Sequence, residues 1–267
     1  MANMFGNAEA YNQFMGRWSR IAAPLFVDFC NLPDQEGHIL DVGSGTGALT
    51  AALARRHPRV RVVGIDSSRE YVAHANHANP FPERASFQFG DAQQLDFPVA
   101  SFHACLSLLV FSLIPDARKA VRELCRVTRP GGPIAAAVWD YGGGMQMLHA
   151  FWDAAISLDP GAAKVHEGYL PFCRAGYLLN LWQQAGLEDV IEQPIEFTMC
   201  FQSFADYWDP FLLGQGPAGT YVASLDQDRL KVLHDALKRR LSATEEASPL
   251  DLPARMWAVR GTVPRTA

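Results

Sequence analysis

The 267-residue chain reads as a doubly wound, mostly parallel α/β sheet in a single domain, and three observations predict it. Through residues 38–140, short β-branched or continuously apolar runs alternate with stretches of helical spacing. One of those runs ends in a glycine cluster that opens directly into a helix. Apolar residues make up 49% of the chain and charged residues 19%, enough to fill a large core.

Residues 8–30 carry Phe14, Trp18, Ile21, Leu25 and Phe29 at spacings of three and four, which predicts an amphipathic helix. His38 to Val42 is a first strand, and Thr46 to His57 a helix stopped by Pro58. Val60 to Ile65 is a second strand ending at Asp66, with Ser67 or Ser68 as cap for a helix running to about Asn79. Ser86 to Phe89 is a third strand; Phe102 to Val110 is a fourth, apolar throughout as doubly covered parallel strands are. Pro115 fits the first turn of a helix that ends before Pro130-Gly131-Gly132, and Ile134 to Trp139 is a fifth strand. Strands separated by helices in this way form a parallel sheet with right-handed crossovers.

Beyond Trp139 the composition shifts toward Gly, Pro and aromatics. Helices are expected at 145–158, 174–186 and about 226–241, with strands at Glu188 to Gln202, interrupted by Pro194, and Ala254 to Val263. An aromatic-rich segment covers 203–214, and 242–253 reads as an exposed loop.

The net charge of −5 and the short basic clusters disfavour a nucleic-acid surface. Five dispersed cysteines (Cys30, Cys105, Cys125, Cys173, Cys200) form no C-x-x-C pair, so neither a zinc site nor a disulfide framework is expected, and no other metal-ligand spacing occurs. Reduced thiols and the absence of a signal-peptide pattern predict a cytoplasmic protein. The longest uncharged apolar stretch, Cys105 to Ile114, is too short to span a bilayer.

The chemistry concentrates at Asp41-Val42-Gly43-Ser44-Gly45-Thr46-Gly47, between a strand and a helix. Glycines there permit positive φ and let a ligand approach bare backbone, and the helix start offers unpaired N–H groups to an anionic group. The spacing does not name the ligand. Gly43, Gly45 and Ala48 also satisfy G-x-G-x-x-G/A, and Asp66 is placed to accept from ribose hydroxyls, so an NAD(P)-dependent oxidoreductase fits these residues too.

The wider pattern separates the two. ILDVGSGTGALT, VVGIDSS, FQFGDAQQLDFPVASF and RVTRPGG, in that order over roughly residues 38–140, resemble the class I S-adenosylmethionine-dependent methyltransferases. The closest likeness is to the small-molecule group that includes the quinone-ring methylases. The resemblance implies a Rossmann-like sheet of seven strands, the last antiparallel, with helical insertions. It implies one domain over 1–267: a lid helix at 1–30, a cofactor-binding half at 38–140, acceptor-side helices and insertion at 141–253, and a final strand at 254–263. By the same resemblance Gly43, Gly45 and Gly47, with Ser44 among them, line the methionine part of S-adenosylmethionine, and Asp41 braces the loop. Asp66, beside Ser67, holds the ribose; Asp91 holds the adenine amino group with Ala92 against the ring; Ser107 and Leu108 lie near the cofactor. His103 departs from the family, which carries Asp there, and is expected to matter for packing alone. Arg17, on the lid with Tyr11 and Trp18, is expected at the methionine carboxylate.

Methyl transfer from a sulfonium needs alignment and exclusion of water more than covalent catalysis. If the acceptor is a phenol, enol or amine, Asp140, Tyr141, His149 and His166 are candidates for a base, as is Glu167. Gly43-Ser44-Gly45 is no nucleophile elbow, so a hydrolase fits poorly. Trp139, Tyr141, Phe151, Trp152, Tyr169, Phe172, Tyr207, Trp208 and Phe211 are expected to wall an apolar pocket for an aromatic or hydrophobic small molecule, or to pack the added helices. A non-catalytic binding protein on the same fold is the remaining alternative.

Overall fold

The computed structural model describes residues 7–33, 35–242 and 248–265, with the Tyr169 side chain outside that set. The amino-terminal helix is α1 (Ala8–Tyr11) and α2 (Arg17–Cys30), joined by a π-helical turn at Asn12–Gly16 that the sequence pattern does not reveal. The alternating half then runs β1 (Gly37–Val42), α3 (Ala48–Arg56), β2 (Val60–Asp66), α4 (Arg69–His77), β3 (Ala85–Phe89), β4 (Ala104–Leu108), α5 (Ala117–Val127) and β5 (Pro133–Trp139). The remainder comprises α6 (Gln146–Leu158), short 3₁₀ turns over 160–169, α7 (Tyr177–Gln184) and β6 (Glu188–Phe201). After these come α8 (Phe204–Trp208), a 3₁₀ turn at Asp209–Leu213, α9 (Gly216–Ala223), α10 (Gln227–Arg240) and β7 (Leu250–Thr262).

The sheet order is β3-β2-β1-β4-β5-β7-β6. β1 to β5 pair in parallel, and β7 alone runs backwards, antiparallel to both β5 and β6. The strand order reverses between β1 and β4, so a crevice opens at their carboxyl ends, where open α/β sheets take ligands. One core lies on the face covered by α2, α3 and α6, around Phe26, Leu53, Phe151 and Trp152. The other lies under α5 and α7, around Val121, Leu124 and Trp182, whose indole N–H donates to the Ile134 carbonyl at 3.0 Å.

Several boundaries differ from the sequence expectation for local reasons. The fourth strand stops at Leu108 because Leu109 adopts φ +67 and turns the chain into a 3₁₀ turn at Phe111–Leu113. α5 is capped by Asp116, whose side chain accepts from the Lys119 N–H at 2.9 Å, so Pro115 precedes the cap instead of opening the helix. Ser68, not Ser67, caps α4 by accepting from the Tyr71 N–H. Pro194 does not interrupt β6: it pairs with Trp257 on an edge strand, where a missing N–H costs nothing. β7 begins at Leu250, so the expected loop at 242–253 is shorter than its pattern suggests; residues 243–247 lie outside the described set. His103 sits at the opposite end of the sheet from the crevice. Its Nδ1 accepts from the His38 N–H at 3.0 Å and its Nε2 meets Arg129 at 2.7 Å, so it is a packing residue. Among the described residues no helix is long and apolar enough to cross a membrane.

Candidate active site

The glycine loop leaves β1 and is pinned to β2: the N–H groups of Gly43 and Ser44 both donate to the Ile65 carbonyl at 2.8 Å. Its three glycines have positive φ, at +74, +53 and +93, but serve different ends. A Cβ on Gly43 would lie 2.4 Å from a Val110 methyl, and one on Gly47 2.9 Å from the Phe87 ring; both glycines make room for protein. A Cβ on Gly45 would meet nothing within 4 Å. Gly45 is therefore where the loop offers bare backbone to a ligand.

Around it stand acceptors that the protein leaves incompletely satisfied. Asp41 is fully buried; its Oδ2 accepts from the Thr50 hydroxyl at 2.7 Å, while Oδ1 has no partner. Burial pushes its carboxyl up to about 7, against the lowering effect of Thr50. The Ser44 hydroxyl is buried without a partner. Asp66, at the tip of β2, accepts from the Gly45 N–H and the Ser68 N–H, each at 2.8 Å. Burial raises its carboxyl in spite of those bonds. Ser67 beside it is exposed.

At the tip of β3, Asp91 is exposed and closes a turn by accepting from the Gln93 N–H at 2.8 Å, with Ala92 half-buried beside it. Ser107 is spent internally: its hydroxyl donates to the Val42 carbonyl at 2.8 Å and ties β4 to β1. Leu108 is buried, and the left-handed Leu109 follows, a strained residue at the crevice edge.

The amino-terminal helix does lie over this loop, through a residue the sequence reading passed over. Asn12, in the π turn, accepts from the Thr46 hydroxyl at 2.8 Å and lies 3.1 Å from His74 Nε2 on α4. Tyr11 packs on Tyr71 and hydrogen-bonds Ser19, within the electrostatic reach of Asp66. Arg17, by contrast, is held elsewhere. Its guanidinium donates to both oxygens of Asp206, at 2.6 and 3.3 Å, and lies over the rings of Trp18 and Phe201. Burial alone would raise the Asp206 carboxyl; Arg17 and the Gln202 N–H outweigh it and hold it low. The expected role of Arg17 at a ligand carboxylate is corrected to a link between lid and α8, because Asp206 already supplies the carboxylate.

On the acceptor side the candidates separate. Asp140 is buried and engaged, accepting from the Gly142 N–H at 3.0 Å and facing Arg255 at 3.3 Å. It fixes the turn after β5. Tyr141 is half-buried, its phenol raised first by burial and then by the charges of Glu167, Cys173 and Tyr11. His149 has a buried Nε2 without a partner, 6.3 Å between ring centres from His166. His166 accepts from the Gly168 N–H through Nδ1 at 2.7 Å and is lowered by burial and by His149. Of the aromatic set, Phe151, Tyr207 and Phe211 are wholly buried and Phe151 stacks on Phe211 at 4.6 Å; they pack the added helices together. Tyr141 and Phe172 are the half-buried members.

A separate open groove of about 640 Å³ lies between the β5–α6 connection and the β6–β7 hairpin, lined by Gly144, Glu196, Phe197, Leu252 and Arg255 among others. None of the glycine-loop residues lines it, and its Arg255 and Glu196 neutralise each other at 2.7 Å.

Comparison with known proteins gives a consistent picture. Residues 39–132 match the family described as a methyltransferase domain. Over 118 residues, 44% of this chain and 37% of the relative, the sequence is 33% identical to 2-methyl-6-phytyl-1,4-hydroquinone methyltransferase of Synechocystis sp.. It is 32% identical over 195 residues to malonyl-[acyl-carrier protein] O-methyltransferase of Halorhodospira halophila, 73% of this chain and 63% of the relative. Both alignments span less than two thirds of the relative's own length. Among solved structures, the Haemonchus contortus phosphoethanolamine N-methyltransferase 2 bound to S-adenosyl-L-methionine superimposes with a TM-score of 0.59, covering 96% of this chain and 56% of that one. At 17% identity that is a likeness of fold.

Proposed function

We propose that the chain is a class I S-adenosylmethionine-dependent methyltransferase that transfers a methyl group from S-adenosylmethionine to a small organic acceptor at oxygen, nitrogen or carbon. The observation that carries this reading is the conjunction at the β1–β4 reversal: open backbone at Gly45, an unpaired buried oxygen on Asp41 near the end of β1, and the Asp66 carboxylate at the next strand tip. That set suits an adenosine with an amino-acid tail.

When bound, S-adenosylmethionine supplies an electrophilic methyl carbon on a sulfonium that departs as a neutral thioether. The protein's part is to orient and to exclude water. Gly43, Ser44, Gly45 and Gly47 line the amino-acid tail, with Asp41 bracing the loop and Ser107 and Leu108 closing the floor. Asp66, with Ser67, takes the ribose hydroxyls, exchanging its Gly45 N–H for them, and Asp91 and Ala92 take the adenine. Tyr11 and Asn12 cover the loop from the lid. Such positioning is worth on the order of 7–11 kcal/mol of barrier. Tyr141, His149 and His166 are the candidate bases on the acceptor side, while Asp140 acts by holding the turn. The domain divides as a lid at 7–30, a cofactor half at 38–140, an acceptor side from 141 and the closing strand Leu250–Thr262. The five cysteines are unpaired, which supports a reducing, cytoplasmic setting.

Thermal unfolding with S-adenosylhomocysteine tests the proposal. At about 100 times its dissociation constant the ligand adds roughly 2.7 kcal/mol, or about 5–10 °C in a chain of this size. Asp66→Ala removes most of that shift. A shift with NADH and none with S-adenosylhomocysteine would reverse the assignment in favour of an oxidoreductase.

A further inference from the structure

The lid is clamped along one face of α4. The Ala8 N–H donates to Glu70 Oε1 at 3.0 Å, the Tyr11 ring lies 5.3 Å from that of Tyr71, and the Asn12 amide meets His74 Nε2 at 3.1 Å. Glu70 and His74, four residues apart, share that face. Asn12 reaches the glycine loop as well: its Oδ1 accepts from the Thr46 hydroxyl at 2.8 Å, between Gly45 and Gly47. A second donor, the Arg20 guanidinium, approaches the same oxygen at 3.3 Å. A guanidinium only donates, so the amide oxygen faces Arg20 and Thr46 and the amide NH2 faces His74. His74 Nε2 is therefore the acceptor, and the neutral ring carries its proton on Nδ1.

Gly16 is fitted to this arrangement. Its angles, φ −63 and ψ −32, are ordinary for a helix, so its backbone does not ask for glycine. Glycine there weakens the helix. A Cβ at that position would lie 2.6 Å from Asn12 Oδ1. The missing side chain leaves room for the oxygen, and the π turn that begins at Asn12 presents it.

Resting on the methyl-transfer reading above for what the loop binds, we propose that Asn12 is a positioning residue that ties the lid to the cofactor loop, and that the tie holds while His74 is neutral and loosens when His74 is protonated. Protonation places an N–H on both ring nitrogens, so the Asn12 NH2 meets a donor in place of an acceptor. Turning the amide over would satisfy His74 but set the NH2 against Arg20 and force the Thr46 hydroxyl to reverse. Either way a bond is lost at the seam between lid and loop. The other charged residues of the elements packed here are Glu9 on α1, Arg17 on α2, held by Asp206, and Arg69, Glu70 and His77 on α4. The loop at 43–47 and the adjoining part of α3, residues 48–54, carry none.

Hydrogen exchange of the ligand-free protein tests the tie. Protection factors over residues 8–16, corrected for the intrinsic pH dependence of exchange, should fall about three- to tenfold from about pH 8 to about pH 5.5, the interval in which histidine changes charge and a loss expected of one hydrogen bond. In His74→Gln, whose amide oxygen accepts without titrating, the fall should vanish. In Asn12→Asp one oxygen keeps Thr46 and Arg20 while the other faces His74, so protection should be higher at the lower pH, an inversion that a purely structural Asn12 would not produce. In a second arm, at about pH 8, Asn12→Ala should bind S-adenosylhomocysteine at least about fivefold more weakly than wild type, and Gly16→Ala should weaken it in the same direction. Comparison at one pH keeps the titration of Asp41 out of that arm. A flat wild-type profile, a fall that survives in His74→Gln, an Asn12→Asp profile that runs as wild type does, or undiminished affinity in Asn12→Ala overturns the proposal. Absence of a thermal shift with S-adenosylhomocysteine in wild type would instead overturn the methyl-transfer reading, and the exchange arm needs no ligand.

Discussion

A glycine in a ligand loop can be required by the ligand or by the protein, and the two cases separate cleanly at Gly43 and Gly45. Both sit in the left-handed region, so an alanine at either costs about 1–2 kcal/mol of backbone strain. At Gly43 the new methyl also meets the Val110 side chain, an overpacking that adds roughly 1–3 kcal/mol. At Gly45 it meets nothing in the ligand-free protein. Urea unfolding is therefore expected to rank Gly43→Ala below Gly45→Ala in stability. S-adenosylhomocysteine titration is expected to show at least a tenfold loss for Gly45→Ala, because the methyl fills space the ligand needs. Equal stabilities with undiminished affinity at Gly45 would mean that the ligand does not approach there.

The lid shows how an element is fixed by partners distant in sequence. Arg17 and Asp206 are 189 residues apart, and their pair joins α2 to α8. With side chains 25% and 29% exposed, the pair is screened, and a double-mutant cycle on Arg17→Ala and Asp206→Ala should give a coupling of about 0.5–1 kcal/mol. S-adenosylhomocysteine affinity should change less than about twofold; a tenfold loss in Arg17→Ala alone would return Arg17 to the ligand. The same separation explains what the sequence revealed. The glycine loop, Asp41 and Asp66 were legible because their chemistry is local: a strand, a turn requiring positive φ, a helix start, an acid at the next strand tip. The five parallel strands were legible from apolar runs and breakers, and the reversed last strand from the family resemblance. The π turn that presents Asn12, the capture of Arg17 by Asp206, and the short helical pieces over 160–169 and 204–223 were not. Their positions depend on contacts such as Glu167 with Trp152 and Ala218, which no periodicity in their own segments records. Of the two readings open for the aromatics, Phe151, Tyr207 and Phe211 take the packing one, stacking on one another beneath the added helices.

At the scale of the whole molecule, two buried carboxyls couple stability to pH in a direction opposite to the usual one. Asp41 and Glu167 are both pushed up to about 7, whereas in the unfolded chain such groups titrate near 3.9 and 4.3. Between roughly pH 4.5 and 7 the unfolded chain has released these protons and the folded chain still holds them. The folded state then binds more protons, so stability falls as pH rises through that window, and the loss is complete above about 7. Each group contributes a slope of up to about 1.4 kcal/mol per pH unit. Asp206 and Glu123, held low by Arg17 and Arg126, act mainly below that window. His103 and His166, lowered by burial, work against the trend near pH 6, because protonating them in the folded state is disfavoured. The informative quantity is therefore the difference between wild type and the neutral variants. Urea midpoints from about pH 5 to 8 should fall less steeply for Asp41→Asn and for Glu167→Gln than for wild type, and least steeply for the double variant. Because Asp41 lies on the strand that feeds the glycine loop, whereas Glu167 bonds Trp152 and Ala218, S-adenosylhomocysteine affinity should change with pH in a manner that Asp41→Asn removes and Glu167→Gln leaves in place. Identical pH profiles for wild type and Asp41→Asn would show that Asp41 is ionised in the folded protein across the whole range, and that its unpaired oxygen has a cationic or donor partner even without ligand.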